Sequence, residues 1–403
     1  MITFSTAPFQ AHGGRRRKTV EKTLDESTYF LEKLKHLPTP RLVVYRREFD
    51  SNVERMKGYL EDIVPGSGFD HLTPHAKTHK SLWVTQQLMA AGVRRFKCGP
   101  NELDTLLEAG ARDIFLAYPP LPHDADKLAR RIRKYSHASI SSQIGCFEHA
   151  TFLQEAAERF GVTIPCFLDL DVGNGRTGAG VEKILELAKQ VSRGHRFSNL
   201  RICGLHGYDG HNGSADPGQR IDCAREAMGR VVKCWQAIKL VGVAGDRVVV
   251  GGTLGFREDL RELFWHHELK AQIEVSPGTW VYWDTGYDNI MPGAFDFAAL
   301  VLAQVMDLPG DNRVCLNLGY KGWAIDNGPA ELFSVSGLGV VMAKEEHTVL
   351  RCDTSTPTLH VGDHVLIAPR HVCSTVNLWE EFTLVGKDGH ILEESLPVSA
   401  RNR

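Results

Sequence analysis

The feature that most constrains this chain is an alternation running from Leu72 to Val275. Short apolar runs of strand length are separated by longer stretches whose apolar residues recur every three or four positions. The longer spacing puts apolar groups on one face of a helix, and a short apolar run bounded by turn residues suits a strand buried on both faces. Strands are expected near residues 72–77, 96–99, 114–118, 138–142, 164–170, 202–206, 247–251 and 272–275, with helices over 82–91, 101–109, 149–160, 181–191 and 219–240. Asn101 stands where an N-cap belongs, with Asp104 three positions on. Eight strand-then-helix units in about 200 residues predict an α/β chain folded as a closed (β/α)8 barrel. An open, doubly wound sheet is the alternative.

After about Pro292 the pattern changes. Apolar runs at 301–306, 314–318, 332–341, 349–352, 365–368 and 382–385 follow one another with little helix between them, and Asp388-Gly389 marks a hairpin turn. The expected organisation is an N-terminal extension (1–37), a barrel (38–291) and a mostly β C-terminal domain (292–403). The segment Arg41-Leu42-Val43-Val44-Tyr45 is one more strand and suits either unit.

Composition narrows the class. A hydrophobic share of 42% and a charged share of 24% suit a soluble globular protein with a sizeable core. A formal net charge of −2 gives no reason to expect a nucleic-acid or membrane partner. The one basic run, Arg15-Arg16-Arg17-Lys18, reads as a solvated tail. The longest apolar stretch, near 295–306, is well short of the roughly 20 residues needed to span a bilayer. The first twenty residues lack a secretory apolar core. Nine cysteines with no C-x-x-C pair favour a reducing compartment, and the cytoplasm is the expected location.

In a (β/α)8 barrel the active site lies at the C-terminal ends of the strands. The first expected strand ends in Pro74-His75-Ala76-Lys77-Thr78-His79-Lys80, and the fifth runs into Asp171-Val172-Gly173-Asn174-Gly175-Arg176-Thr177-Gly178. The sixth ends in His206-Gly207-Tyr208-Asp209-Gly210-His211, the seventh in Gly251-Gly252-Thr253 and the eighth in Ser276-Pro277-Gly278-Thr279. Two Gly-Thr pairs on the last two strands fit the usual phosphate position, where glycine lets backbone N–H groups approach an anion. A lone lysine at a strand end is ordinarily solvated surface, and Gly-Thr pairs occur in many loops. Together they point to a phosphate-bearing cofactor anchored on Lys77, with His75, His79 and Lys80 as the neighbours that would lower its pKa.

His371-Val372-Cys373 follows the run at 365–368. In an extended segment residues i and i+2 face the same side, so an imidazole and a thiolate placed this way can share a zinc ion. On spacing alone a buried cysteine beside a surface histidine is the more ordinary explanation, because free cysteine is commonly core.

These signatures together resemble the fold-type III enzymes of pyridoxal 5′-phosphate (PLP), the alanine racemase-like barrels. Within that group the chain resembles the D-threonine aldolase and D-serine dehydratase branch from about Pro38 to its end. The resemblance implies a Schiff base of PLP on Lys77, Arg176 near the ring's phenolic oxygen and Tyr208 near the pyridine nitrogen. It implies that Gly252, Thr253, Gly278 and Thr279 hold the phosphate, and that His371 and Cys373 bind a divalent metal, zinc foremost, facing the substrate's β-hydroxyl. The implied catalytic set is Lys77, Tyr208, His371 and Cys373. The implied activity is that of a lyase acting on a small D-3-hydroxy amino acid such as D-serine or 3-hydroxy-D-aspartate. Cysteine at the second metal position leans toward dehydration. Retro-aldol cleavage to glycine and an aldehyde is the alternative, followed by an amino-acid racemase or a PLP carrier without catalysis. The resemblance also implies a homodimer.

Overall fold

The computed structural model describes residues 23–193, 195–266, 269, 273–310, 312–354 and 356–401. The basic run Arg15–Lys18, most of the expected N-terminal extension and Gln272 lie outside them.

Strand β1 (Arg41–Tyr45) is followed by seven parallel strands paired in sequence order: β2 (Arg95–Cys98), β3 (Asp113–Leu116), β4 (Ser139–Ile144), β5 (Ile164–Leu170), β6 (Leu200–Gly207), β7 (Arg247–Val250) and β8 (Ile273–Val275). Each lies where the apolar runs place it. The run at 72–77 departs from expectation, because it forms isolated bridges rather than a regular strand. Leu72 pairs with Val275 and His75 with Lys97. Thr73 N donates to Val275 O at 2.9 Å and Ala76 N to Lys97 O at 2.8 Å. Pro74 has no N–H to continue a ladder. The segment still fills the gap between β8 and β2, so the barrel closes through it.

Alternation along the strands sorts the barrel interior into layers. At the N-terminal end Arg247 donates to both carboxylate oxygens of Glu274, at 2.6 and 2.9 Å, and to Asp113 at 3.1 Å. Above them Phe115, Phe167, Cys203 and Val249 form a small apolar cluster of their own. One layer higher the inward groups turn polar: Lys97, Gln143, Asp169 and His206, all buried. Cys203 and His206 are three residues apart yet both face inward. Period two forbids this in a regular strand; a register shift allows it, since β6 skips from Ile202 to Gly204 against Cys166 and Phe167 of β5. At Gly204 a Cβ would lie 1.7 Å from the carbonyl oxygen of Arg247, so the backbones of β6 and β7 approach there as only glycine permits.

The second sheet contains β9 (Ala299–Gly310), β10 (Arg313–Leu316), β11 (Leu332–Phe333), β12 (Leu338–Ala343), β13 (Thr348–Cys352), β14 (His364–Ala368), β15 (Glu381–Val385) and β16 (Ile391–Pro397). Its order is β12-β13-β10-β9-β1-β15-β16, with β14 beside β9 and β11. The strand at 41–45 therefore joins this sheet, antiparallel to β9 and parallel to β15, and not the 38–291 barrel unit in which it was counted. The run at 332–341 is two strands with different partners: β11 pairs with β14, and β12 with β13. The turn at Asp388-Gly389 joins β15 to β16, with Gly389 at φ 80°. Among the described residues no helix is long and apolar enough to cross a membrane.

Asn101 precedes the helix Glu102–Glu108 but makes no side-chain cap. Glu102 instead accepts from the Gly99 amide at 2.7 Å, and Asp104 is held by two hydrogen bonds from Arg131 at 2.9 and 2.6 Å.

Candidate active site

Two cavities meet at Lys77. The first, of about 420 Å³, opens at the C-terminal ends of the barrel strands and is lined by His75, Lys77, Lys97, Arg176, His206 and Tyr208 among others. The second, of about 740 Å³, lies between the barrel mouth and the β domain; it is lined by Lys77, Lys80, Thr279, Tyr287, Asp326, His371 and Cys373 among others. Lys77 belongs to both, and its side chain is exposed to them.

The first cavity gathers much of what the sequence singled out. The Arg176 guanidinium lies 4.7 Å from the centre of the Tyr208 ring, and Lys97 Nζ lies 5.4 Å from it. The Gly-Thr loops of the last two strands also meet: the amides of Gly278 and Thr279 both donate to Thr253 Oγ1, at 3.0 and 3.1 Å. A Cβ on Gly278 would come within 3.0 Å of Thr78 Oγ1 and 3.1 Å of the His75 carbonyl, so the loop passes the Lys77 segment as closely as glycine allows. The Gly252 amide is directed elsewhere, to Asp209 Oδ1 at 2.8 Å. Burial raises the pKa of Asp209. The Lys77 amine at the edge of this cavity, with Arg176 and Tyr208 lining it, and the two Gly-Thr loops meeting beside the Lys77 segment, outside that lining, fit a compact phosphate ester such as PLP.

Of the three expected neighbours of Lys77, two face the cavities. His75 lines the first and Lys80 the second. His79 lines neither; it is buried, and its Nδ1 accepts from the Ser81 amide at 3.2 Å. Lys80, at φ 51°, donates to the carbonyls of Lys77 and Cys373 and so ties the lysine loop to the β domain.

His371 and Cys373 come together, though not along a strand. His371 is extended (φ −137°, ψ 96°), but the helix Val372–Val376 starts at the next residue. The bend is enforced by Asp284, whose carboxylate accepts the Val372 amide at 3.0 Å, and by Thr375, whose side chain donates to the His371 carbonyl at 2.9 Å. The Cys373 sulfur touches Thr78 Oγ1 at 3.1 Å and Thr279 Oγ1 at 3.7 Å. His371 Nδ1 meets Asp326 at 2.6 Å, and Ser374 donates to the same carboxylate oxygen at 3.0 Å. A hydrogen bond with Cys373, opposed by burial and aided by Asp326, raises the His371 pKa to about 9. Burial works to raise the Cys373 thiol, but the His371 hydrogen bond and the positive charge of Lys77 outweigh it and bring the thiol below its usual value. An imidazole backed by a carboxylate beside an easily ionised thiol suits a borderline-soft cation. Among the described residues no group of three or more His, Cys, Asp or Glu could hold a metal, so the pair would leave further positions to water or substrate.

Three residues of this region were not singled out by the sequence: Lys97, Asp284 and Asp326. Lys97 alone had a usable cue, being a charged residue inside an apolar strand run.

Known proteins resemble this chain over most of its length. The alanine racemase N-terminal domain family matches residues 48–284, and the serine dehydratase domain family matches residues 298–385. A D-threonine aldolase of an Arthrobacter species is 26% identical over 381 residues, covering 91% of this chain and 94% of that protein. A D-serine dehydratase of Dictyostelium discoideum is 20% identical, covering 81% of this chain and 89% of that protein. Among solved structures, the D-threo-3-hydroxyaspartate dehydratase of Delftia sp. HT23 superposes with a TM-score of 0.78 at 21% identity, over 90% of this chain and 98% of that one. Solved variants of a D-threo-3-hydroxyaspartate dehydratase replace a histidine and, two positions later, a cysteine, the latter in a metal-free form. With more than half of its length matched, the chain belongs to the alanine racemase N-terminal domain family, the fold-type III barrels of PLP enzymes, in their D-threonine aldolase and D-serine dehydratase branch.

Proposed function

We propose that this chain is a PLP-dependent lyase of a D-3-hydroxy amino acid, assisted by a divalent metal, with loss of the β-hydroxyl as the favoured outcome. The observation that carries the reading is the position of Lys77, which borders the cavity of Arg176 and Tyr208 on one side and that of the His371–Cys373 pair on the other. PLP, when bound, supplies an electron sink for negative charge at the substrate's α-carbon. Lys77 would hold it, Arg176 and Tyr208 would flank its ring, and Thr253, Gly278 and Thr279 would meet its phosphate. Gly252 would support that loop through Asp209. His371 and Cys373 would hold the metal, zinc being best matched to a nitrogen–sulfur pair, as a Lewis acid toward the β-oxygen.

The residues divide the work. The Lys77 amine is the group placed to take the α-proton, and Lys80 fixes its backbone through the Lys77 carbonyl. Loss of the α-proton followed by departure of the β-hydroxyl leads to a keto acid and ammonia. Loss of the β-hydroxyl proton instead breaks the Cα–Cβ bond and leads to glycine and an aldehyde. Cysteine as the second ligand supports elimination, as do the dehydratase variants altered at a histidine and cysteine of the same spacing. The Arthrobacter relative supports the retro-aldol outcome.

The test begins with colour. Purified protein reconstituted with PLP is expected to show a visible absorbance band that Lys77→Ala abolishes; a colourless wild type would overturn the reading. Incubation with D-serine, D-threonine and 3-hydroxy-D-aspartate, with and without chelator, then separates the outcomes. Keto acid supports elimination and aldehyde supports cleavage, both falling on chelation. Interconversion of D and L forms indifferent to chelator marks a racemase, and colour without any product marks a carrier. A homodimer belongs to the same reading and is checked by sedimentation of the reconstituted protein.

A further inference from the structure

Lys97 sits in the polar layer of the barrel directly beneath the first cavity and is 3% exposed. Its amine is 2.8 Å from His206 Nε2 and 2.9 Å from Ser276 Oγ. His206 Nδ1 is 2.8 Å from Asp169 Oδ1, and Gln143 Nε2 donates to Asp169 Oδ2 at 3.0 Å. Five side chains from β2, β4, β5, β6 and the end of β8 thus form one buried chain. Its Lys97 member lines the same cavity as Lys77. An unpaired buried ammonium is costly, whereas a neutral amine donating to two partners is not. Structural needs alone do not call for an ionisable group there, because the apolar layer below fills the same barrel with Phe115, Phe167, Cys203 and Val249.

We propose that Lys97 is a second acid–base group of this cavity, gaining a proton at Nζ when an anionic ligand enters beside Lys77 and releasing it when the ligand leaves. His206 and Asp169 are its positioning residues. The uptake forms one N–H bond at Nζ with a proton from solvent, and departure of the ligand breaks it; no electrons change hands. In the empty cavity burial, followed by the charge of Lys77, lowers the Lys97 pKa to about 7. Arg176 opposes its charge, while Asp169 and Asp209 favour it. His206, held to about 4 by burial and by Lys97, and His75, held well below its usual value by burial and by Lys77, are neutral neighbours. A phosphate ester adds negative charge to the cavity, which moves Lys97 toward its protonated form. Below pH 7 the proton is already present, so uptake on binding belongs to the alkaline side.

The inference rests on the cofactor reading, and the experiment separates the two. PLP is titrated calorimetrically into the cofactor-free full chain in buffers of different ionisation enthalpy, at pH 6 and pH 8. Wild type is compared with Lys97→Met, which is never charged, and Lys97→Arg, which is always charged. Wild type should take up about one proton per site more than either variant at pH 8, and no more than they do at pH 6. Equal counts in all three at pH 8 would overturn the inference and leave the cofactor reading standing. Failure of wild type to bind PLP would overturn both. Should the variants not fold, trace acetylation of the cofactor-free wild type, followed at the Lys97 peptide by mass spectrometry, reads the amine directly. Labelling that rises through pH 7 supports the assignment, and labelling that rises only with ordinary surface lysines overturns it.

Discussion

His371 reaches Asp326 through Nδ1, and Ser374 closes on the same carboxylate oxygen. That arrangement fixes the tautomer and direction of the imidazole, which is what an outer carboxylate does for a metal-bound histidine. On the metal reading, Asp326→Ala is expected to weaken zinc affinity by roughly 10–100-fold while leaving PLP colour intact. A competition titration against a chelating dye measures it, and an unchanged affinity would count against the pair as ligands. Asp326 also shows where legibility in the sequence stops at this scale. Lys77, His371 and Cys373 stand out because their residue types are few and reactive and because they sit at strand ends. Asp326 is an ordinary loop aspartate 45 positions from its partner, and Thr78 is 295 positions from the sulfur it touches. Such contacts exist only once the two units have packed together, and no local pattern encodes them.

Element by element, the period of the apolar residues located the parallel strands well because both faces of a barrel strand are buried. It said less where backbone geometry departs from the regular repeat. The shift in β6 is one such place: without it Cys203 and His206 could not both face inward. Gly204→Ala would drive a Cβ into the Arg247 carbonyl, parting β6 from β7. The expected loss is at least about 3 kcal/mol, above the usual range for a single added methyl group because the obstacle is backbone. Urea unfolding measures it, and a loss under about 1 kcal/mol would mean that the strands can separate at small cost. The turn into the helix Val372–Val376 was equally hidden, since it depends on Asp284, 88 positions earlier. The pairing of His371 with Cys373 was legible; the bend that produces it was not.

For the molecule as a whole, the barrel and the β domain do not divide where the sequence pattern changes. Strand β1 precedes the barrel in the chain and lies in the middle of the second sheet, with Leu42, Val43, Val44 and Tyr45 all essentially inaccessible to solvent. Its apolar run is as legible as any other, but an apolar run does not name its neighbours. A chain ending at residue 291 keeps every barrel strand yet strips β1 of both partners. It should be insoluble or unfolded, whereas the full chain should unfold in a single calorimetric transition. A soluble fragment with native circular dichroism would show instead that the barrel stands alone.

That placement also sets a schedule for synthesis. Arg41 and its ion-pair partner Glu381 are 340 positions apart. At about 5–20 residues per second, β1 leaves the ribosome roughly 20–70 s before β15 is complete. Throughout that interval a very apolar strand has two open edges, the condition under which chains join one another. Growing chains should therefore depend on chaperone cover until the last strands emerge, and shortage of that cover should lower the yield of protein more than any weakness of the finished fold.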